Sequence, residues 1–163
     1  VQTCALPIFY HRPYESWSKA TEWQYTLSPG ENPTALAIGG LAEPSDPEEI
    51  SITGTGAVVV ATDRGYLRFF TGSGLQRRVE NFGDGEDVVA LAASRDWLLV
   101  VSRKGPVVDA KQNLEYEVRD LDSFETVQKG KLPMRKGASL KWVGFSDEQV
   151  SPGCPPIVCD HEC

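Results

Sequence analysis

The chain has 163 residues, 40% of them hydrophobic and 24% charged, with a formal net charge of −7, enough for one ordinary domain with a packed core. The acidic balance disfavours broad contact with phosphate backbones. No apolar run approaches the roughly 20 residues of a membrane helix, and the N-terminus lacks the charged-then-apolar layout of a signal peptide.

The first eight residues, VQTCALPI, match the in-frame translation of a common sequencing adapter. Residues 1–15 are therefore expected to be a disordered or artefactual flank, with a short genuine strand over ALPIFY as the alternative. Beyond them, TEWQYTL (21–27) alternates, with Trp23, Tyr25 and Leu27 on one face and Glu22, Gln24 and Thr26 on the other. That is a half-buried strand. SPGENP (28–33) is a turn cluster. ALAIGG (35–40) is expected to be a buried strand closed by glycines, and 41–56, rich in proline and acid, a long surface loop.

AVVVATD (57–63) is a β-branched buried strand, Asp63-Arg64-Gly65 a turn, and YLRFFT (66–71) the return strand. GSG (72–74) turns into LQRRVENF (75–82), and GDGED (83–87) turns again. VVALAAS (88–94) has the character of ALAIGG, and LLVVSR (98–103) that of AVVVATD. After a loop at 104–113, LEYEVRDLD (114–122) alternates with Leu114, Tyr116, Val118 and Leu121 mostly inward. SFETVQKGKLPM (123–134) returns, and ASLKWVGFS (138–146) begins the pattern a third time. No segment has a long period of 3.6 residues, so the chain is predicted to be all-β.

Ala35, Val89 and Leu140 start successive cycles, spaced by 54 and 51 residues. Each cycle holds about four short strands joined by tight turns. Four-stranded units at such a period mark a β-propeller, and the repeat favours it over a β-sandwich. Two blades and part of a third fit in this chain. A propeller closes with about four to eight, so the sequence is expected to be a fragment whose open strand edges invite aggregation.

Three stretches carry a family resemblance: TEWQYTLSPGENPTALAIGG, VVVATDRGYLRFFTGSGLQRRVENFGDGEDVVALAAS and LPMRKGASLKWVGFSDE. The ordered set ATxxGYLRxF, SGxQ and LxWxGFS resembles the middle region of the minichromosome loss protein family, over residues 16–148. These are eukaryotic replisome scaffolds with WD repeats, also described as DNA polymerase alpha accessory or sister-chromatid cohesion factors. The resemblance implies a nuclear protein whose middle propeller self-associates into a trimer. It also implies C-terminal helices that recruit peptides from polymerase alpha and the replicative helicase. Those helices are not in this sequence, so no client-docking role falls on a residue here.

Little chemistry is legible. His11 and His161 are the two histidines, and both lie in the flanks. Ser73 between two glycines lacks the following helix of a nucleophile elbow. TGTGAV and GDGED lack the strand–loop–helix setting of a phosphate cradle. Asp84, Glu86 and Asp87 read as an acidic turn before a Ca²⁺ site. Trp23, Trp97 and Trp142, like Tyr66 and Phe69, read as packing residues before a base-stacking surface. Arg77 and Arg78, and the strip Lys129, Lys131, Arg135, Lys136 and Lys141, read as solvated charge; the alternative is a basic face for DNA or chromatin.

None of the four cysteines lies in the 149 residues between Cys4 and Cys154. That layout points to a reducing compartment and a core held by packing. Cys154, Cys159, His161 and Cys163 could bind zinc in principle, but C-x4-C-x-H-x-C matches no common site, and residues 149–163 are expected to be an irregular tail. The sequence thus predicts no catalytic set, no cofactor and no metal. It predicts a non-catalytic scaffold acting by protein–protein contact.

Overall fold

A computed structural model of the chain describes residues 7–12, 22–40, 56–82, 86–107 and 112–146, and the backbone of 157–162. The chain is all-β: every regular element among the described residues is a strand. None of them is a helix long and apolar enough to cross a membrane.

The strands are β1 (Ile8–His11), β2 (Trp23–Thr26), β3 (Pro33–Gly39), β4 (Ala57–Thr62), β5 (Tyr66–Thr71) and β6 (Gln76–Asn81). They continue as β7 (Glu86–Ala93), β8 (Trp97–Lys104), β9 (Leu114–Asp120), β10 (Thr126–Lys131), β11 (Ser139–Phe145) and β12 (Ile157–Glu162). β3-β4-β5-β6 and β7-β8-β9-β10 are two complete four-stranded antiparallel sheets, each in sequence order. β1-β2 and β11-β12 are two-stranded sheets. VVVATDRGYLRFFTGSGL is therefore the second and third strands of the first complete blade, with the turn after β5.

The blades stack face to face, and the parity of the central strands shows how. Val59 and Ala61 of β4 join Leu67 and Phe69 against Leu98 and Val100 of β8, forming the core between the two blades. The alternate residues of β4, Val58 and Val60, pack with Phe70 against Phe9 and Leu27 on the other side. Leu99 and Val101 of β8 face Val143 of β11. A strand covered on both faces must be apolar at every position, which is why AVVVAT and LLVV show no alternation. Each such aliphatic side chain contributes about 1.5–3 kcal/mol by leaving water. The result is an arc of stacked antiparallel sheets, the arrangement of a partial propeller.

The sequence repeat has a structural counterpart in the first strand of each cycle. Thr34 of β3, Val89 of β7 and Lys141 of β11 are each the extra residue of a β-bulge against the next strand. An inserted residue bends its strand and increases its twist. All three bulges sit where the repeat begins, so each cycle opens with the same bend.

Three expectations change. ALAIGG forms a strand, but Leu36 and Ile38 are 50% and 47% exposed; only the Ala35 and Ala37 face packs on the core between blades. Within the expected N-terminal flank, Ile8–His11 is a strand paired with β2, and Phe9 is buried. Part of the expected irregular tail, Ile157–Glu162, pairs with β11. In both cases the pairing partner is remote in sequence, so no local turn signal announced it. The expected loop at 41–56 lies outside the described residues except for Gly56.

Candidate functional site

The turns and blade contacts decide where polar groups go. Arg68 of β5 donates from Nε and Nη2 to the two carboxylate oxygens of Glu31, at 2.8 and 2.7 Å, and from Nη1 to Gln76 at 3.2 Å. Arg68 and Glu31 are both buried. Tyr25 and Tyr66 place ring faces 5.9 and 5.6 Å from the same guanidinium. The hydrogen bonds from Arg68 hold the Glu31 carboxyl below its ordinary range. This is a structural ion pair that ties the turn before β3 to the middle of the blade.

A second network crosses between blades. Arg119 of β9 pairs with Glu117 at 2.7 Å and also with Glu80 of β6, which Arg78 meets at 2.6 Å. Lys129 of β10 closes on Glu117 at 2.5 Å. Phe124, in the β9–β10 turn, has φ +64°, and its ring meets Phe69 of the first blade edge-on at 5.1 Å. Arg77 and Arg78 cover that ring at 5.1 and 5.0 Å. Asp120 supports the turn by accepting from the amides of Ser123 and Asp122 at 2.7 and 3.0 Å.

These contacts settle most of the residues that the sequence singled out. Arg78 and Lys129 are neutralised by acids, and Arg77 lies 3.4 Å from Asp122. The basic strip is thus divided: Lys131, Arg135 and Lys136 are exposed, whereas Lys129 belongs to the inter-blade network. Glu86 and Asp87 face Lys104 and Arg103, at 3.3 and 2.5 Å, while Asp84 lies outside the described residues. Among the described residues no cluster of His, Cys, Asp and Glu is placed to hold a metal. Cys154 and Cys163 lie outside the described residues, and Cys159 and His161 sit in β12, described by its backbone. Ser73 shares a hydrogen bond with Thr71 at 2.8 Å.

The tryptophans do not form one surface. Trp23 stacks on Phe70 and His11, and its Nε1 donates to the Gly72 carbonyl at 2.9 Å. Trp97 packs against the core between the second blade and β11. Trp142, expected to be a packing residue, is 53% exposed and lies over Gly144. Tyr66 packs beside Arg68 in the first blade, and Phe69 packs in the core between the blades.

Two of the concave surfaces among the described residues stand out. One, of about 400 Å³, lies at the junction of the blades and is lined by Arg77, Arg95, Asp96, Asp120 and Asp122. Its charges are mixed. The other, of about 520 Å³, runs along β3, β7 and β11 past Leu36, Leu91, Ala93, Trp142 and Phe145. Its side chains are mostly apolar, and it was not foreseen, because the sequence assigned those strands to the core. Leu36 and Ile38 are uncovered for a simple reason. The β1-β2 sheet packs on β4 and β5 through Val58, Val60 and Phe70 and stops short of β3. The corresponding face of β7, with Leu91 and Ala93, is covered by the first complete blade, and the opposite face, with Ala90 and Ala92, by the β11 side of the arc.

Such a molecule offers packing faces and strand edges and no convergent reactive groups among its described residues. The comparison with known proteins agrees with the quoted motifs. Residues 5–161 match the family described as minichromosome loss protein, Mcl1, middle region. The chain belongs to this family. The family is named for minichromosome loss, which points to chromosome maintenance. The chain is also similar to the Protein ENHANCER OF LHP1 1 of Arabidopsis thaliana, at 27% identity over 144 residues. That alignment covers 88% of this chain and 13% of the relative, so the chain spans about an eighth of its length.

Proposed function

We propose that this chain is a non-catalytic scaffold segment of a nuclear replication adaptor, one arc of a propeller that joins protein partners. The observation that carries this reading is the family match over residues 5–161. The uncovered face of Leu36 and Ile38, beside a two-stranded sheet, supports a further sheet packing there as the ring is completed. The completed propeller self-associates into a trimer. Trimerisation multiplies the sites held on one particle and raises the effective concentration of each tethered client without any bond-making step. The clients are the replicative helicase and DNA polymerase alpha, held by parts of the longer protein outside this segment. The same adaptor role extends to sister-chromatid cohesion.

A direct DNA-binding role through the basic strip is disfavoured by the pairing of Lys129 with Glu117 and by the net charge of −7. The test is the mass in solution of the longer natural protein, with and without this segment, by light scattering. A trimer that becomes a monomer on deletion, while helicase and polymerase co-purify only with the trimer, is the expected result. A protein that is monomeric with the segment present would overturn the reading. Tight, steeply salt-dependent DNA binding by this segment would favour the alternative.

A further inference from the structure

Leu27 and Glu31 are each only 1% exposed, whereas Ser28, Pro29 and Gly30 between them are all exposed. The Glu31 amide donates to the Ser28 carbonyl at 3.0 Å, and Gly30 has φ +76°. Proline at the second position and a positive-φ glycine at the third make a type II turn. The turn is held out between two anchors, one packed in an apolar core and the other ion-paired to Arg68.

An exposed serine directly before a proline has the acceptor chemistry that proline-directed protein kinases use. Beside it lies a cation. Arg64, in the β4–β5 turn, is exposed, and its Nη2 donates to the Pro29 carbonyl at 3.0 Å. The neighbouring carboxylates already have hydrogen-bond partners. Glu31 is held by Arg68, and Asp63 accepts from the backbone and side-chain amides of Asn32, both at 2.8 Å. A guanidinium resting on a neutral carbonyl gains an opposite charge and a second acceptor oxygen when a phosphate replaces it.

We propose that Ser28 is a phosphorylation site for a proline-directed kinase, with Arg64 as counter-ion of the phosphate. The kinase transfers the γ-phosphoryl group of ATP to Ser28 Oγ. The bond to ADP breaks, the Oγ–P bond forms, and the hydroxyl proton passes to the kinase's carboxylate base. The product carries about −1.5 to −2 charge at neutral pH. Arg64 moves from the Pro29 carbonyl to the phosphate and clamps the β4–β5 turn to the turn between β2 and β3. Phosphorylation thereby fastens the two-stranded sheet to the first complete blade. This inference stands on the turn geometry and does not depend on the scaffold reading.

The test uses the full chain, shown to be folded by a cooperative melt, with a purified proline-directed kinase and ATP. Intact mass and peptide mapping should find one phosphoryl group on Ser28, absent in Ser28→Ala and in a still cooperatively melting Pro29→Ala. No incorporation, or incorporation confined to Ser151, which also precedes a proline, would overturn the site. A ³¹P titration of the product tests the counter-ion. The second phosphate ionisation should lie below its ordinary value of about 6 and rise in Arg64→Gln. An ionisation unmoved by that substitution removes Arg64 from the proposal.

Discussion

Arg68 of β5 grips both carboxylate oxygens of Glu31 across 37 residues of sequence, at 2.8 and 2.7 Å, between the rings of Tyr25 and Tyr66. The pair joins the turn before the first complete blade to that blade's third strand. It is buried, so its two halves cannot be removed independently.

Glu31→Ala leaves the Arg68 guanidinium buried without its counter-charge, and Arg68→Ala does the reverse. Either should cost about 3–5 kcal/mol. The double change Glu31→Leu with Arg68→Met replaces charge by apolar volume and should cost much less than the sum. Urea unfolding of the three variants measures this. Additive losses would show that the pair is not coupled.

Stability should fall with acid in two steps. Glu31 is held low by Arg68, Asp63 by the Asn32 amide and Asp120 by the Ser123 amide. Their folded values lie below their unfolded ones, so the unfolded chain takes up protons first. Their contribution is complete above about pH 4.3 and is lost as pH falls through the lower folded values. Burial also pushes the His11 imidazole below its ordinary value. The folded chain thus resists its protonation, and stability declines as pH falls through about 6.5. Urea midpoints across pH should show a shallow upper step that vanishes in His11→Gln and a lower step reduced in Glu31→Gln.

A methyl group at Gly39 would stand 2.4 Å from the Ser94 carbonyl oxygen and 2.9 Å from Leu121 Cδ1. Gly39→Ala therefore wedges the first blade from the second and should cost about 3 kcal/mol. Gly105 has φ +71° and open space around it. Gly105→Ala should cost only the backbone term, about 1–2 kcal/mol. Thermal melts of both variants separate inter-blade crowding from backbone strain. Equal losses would mean that the blades part to accommodate the methyl group.

Leu36→Asp and Ile38→Asp alter side chains that are half exposed. Each should change the stability of this chain by no more than about 0.5 kcal/mol. Both should weaken binding of a hydrophobic dye, which reports the uncovered sheet face. In a longer protein in which a further sheet covers that face, as proposed above, the same changes should lower stability. Unchanged stability there would place these residues outside any inter-sheet contact.

The amino-acid sequence by itself determined the strands, their turns and their phase. AVVVAT and LLVV are apolar at both parities, which is possible only for strands covered on two faces. Asp63-Arg64-Gly65 encodes its turn locally, and the cycles starting at Ala35, Val89 and Leu140 recur in the structure as three bulges, each within one residue of those starts. The quoted motifs also carried the family. Tertiary structure decided what depends on a neighbour remote in sequence. Ile8–His11 is a strand because β2 offers it hydrogen bonds and the first blade offers Phe9 a core. Phe124 holds φ +64° to reach Phe69 of another blade. Glu31 looks like a turn residue until Arg68 folds against it, and Lys129 looks like part of a basic strip until Glu117 pairs with it. Leu36, Ile38 and Trp142 are exposed although their hydrophobicity suits a core. Hydrophobicity states a preference for burial, and only the presence of a covering sheet satisfies it.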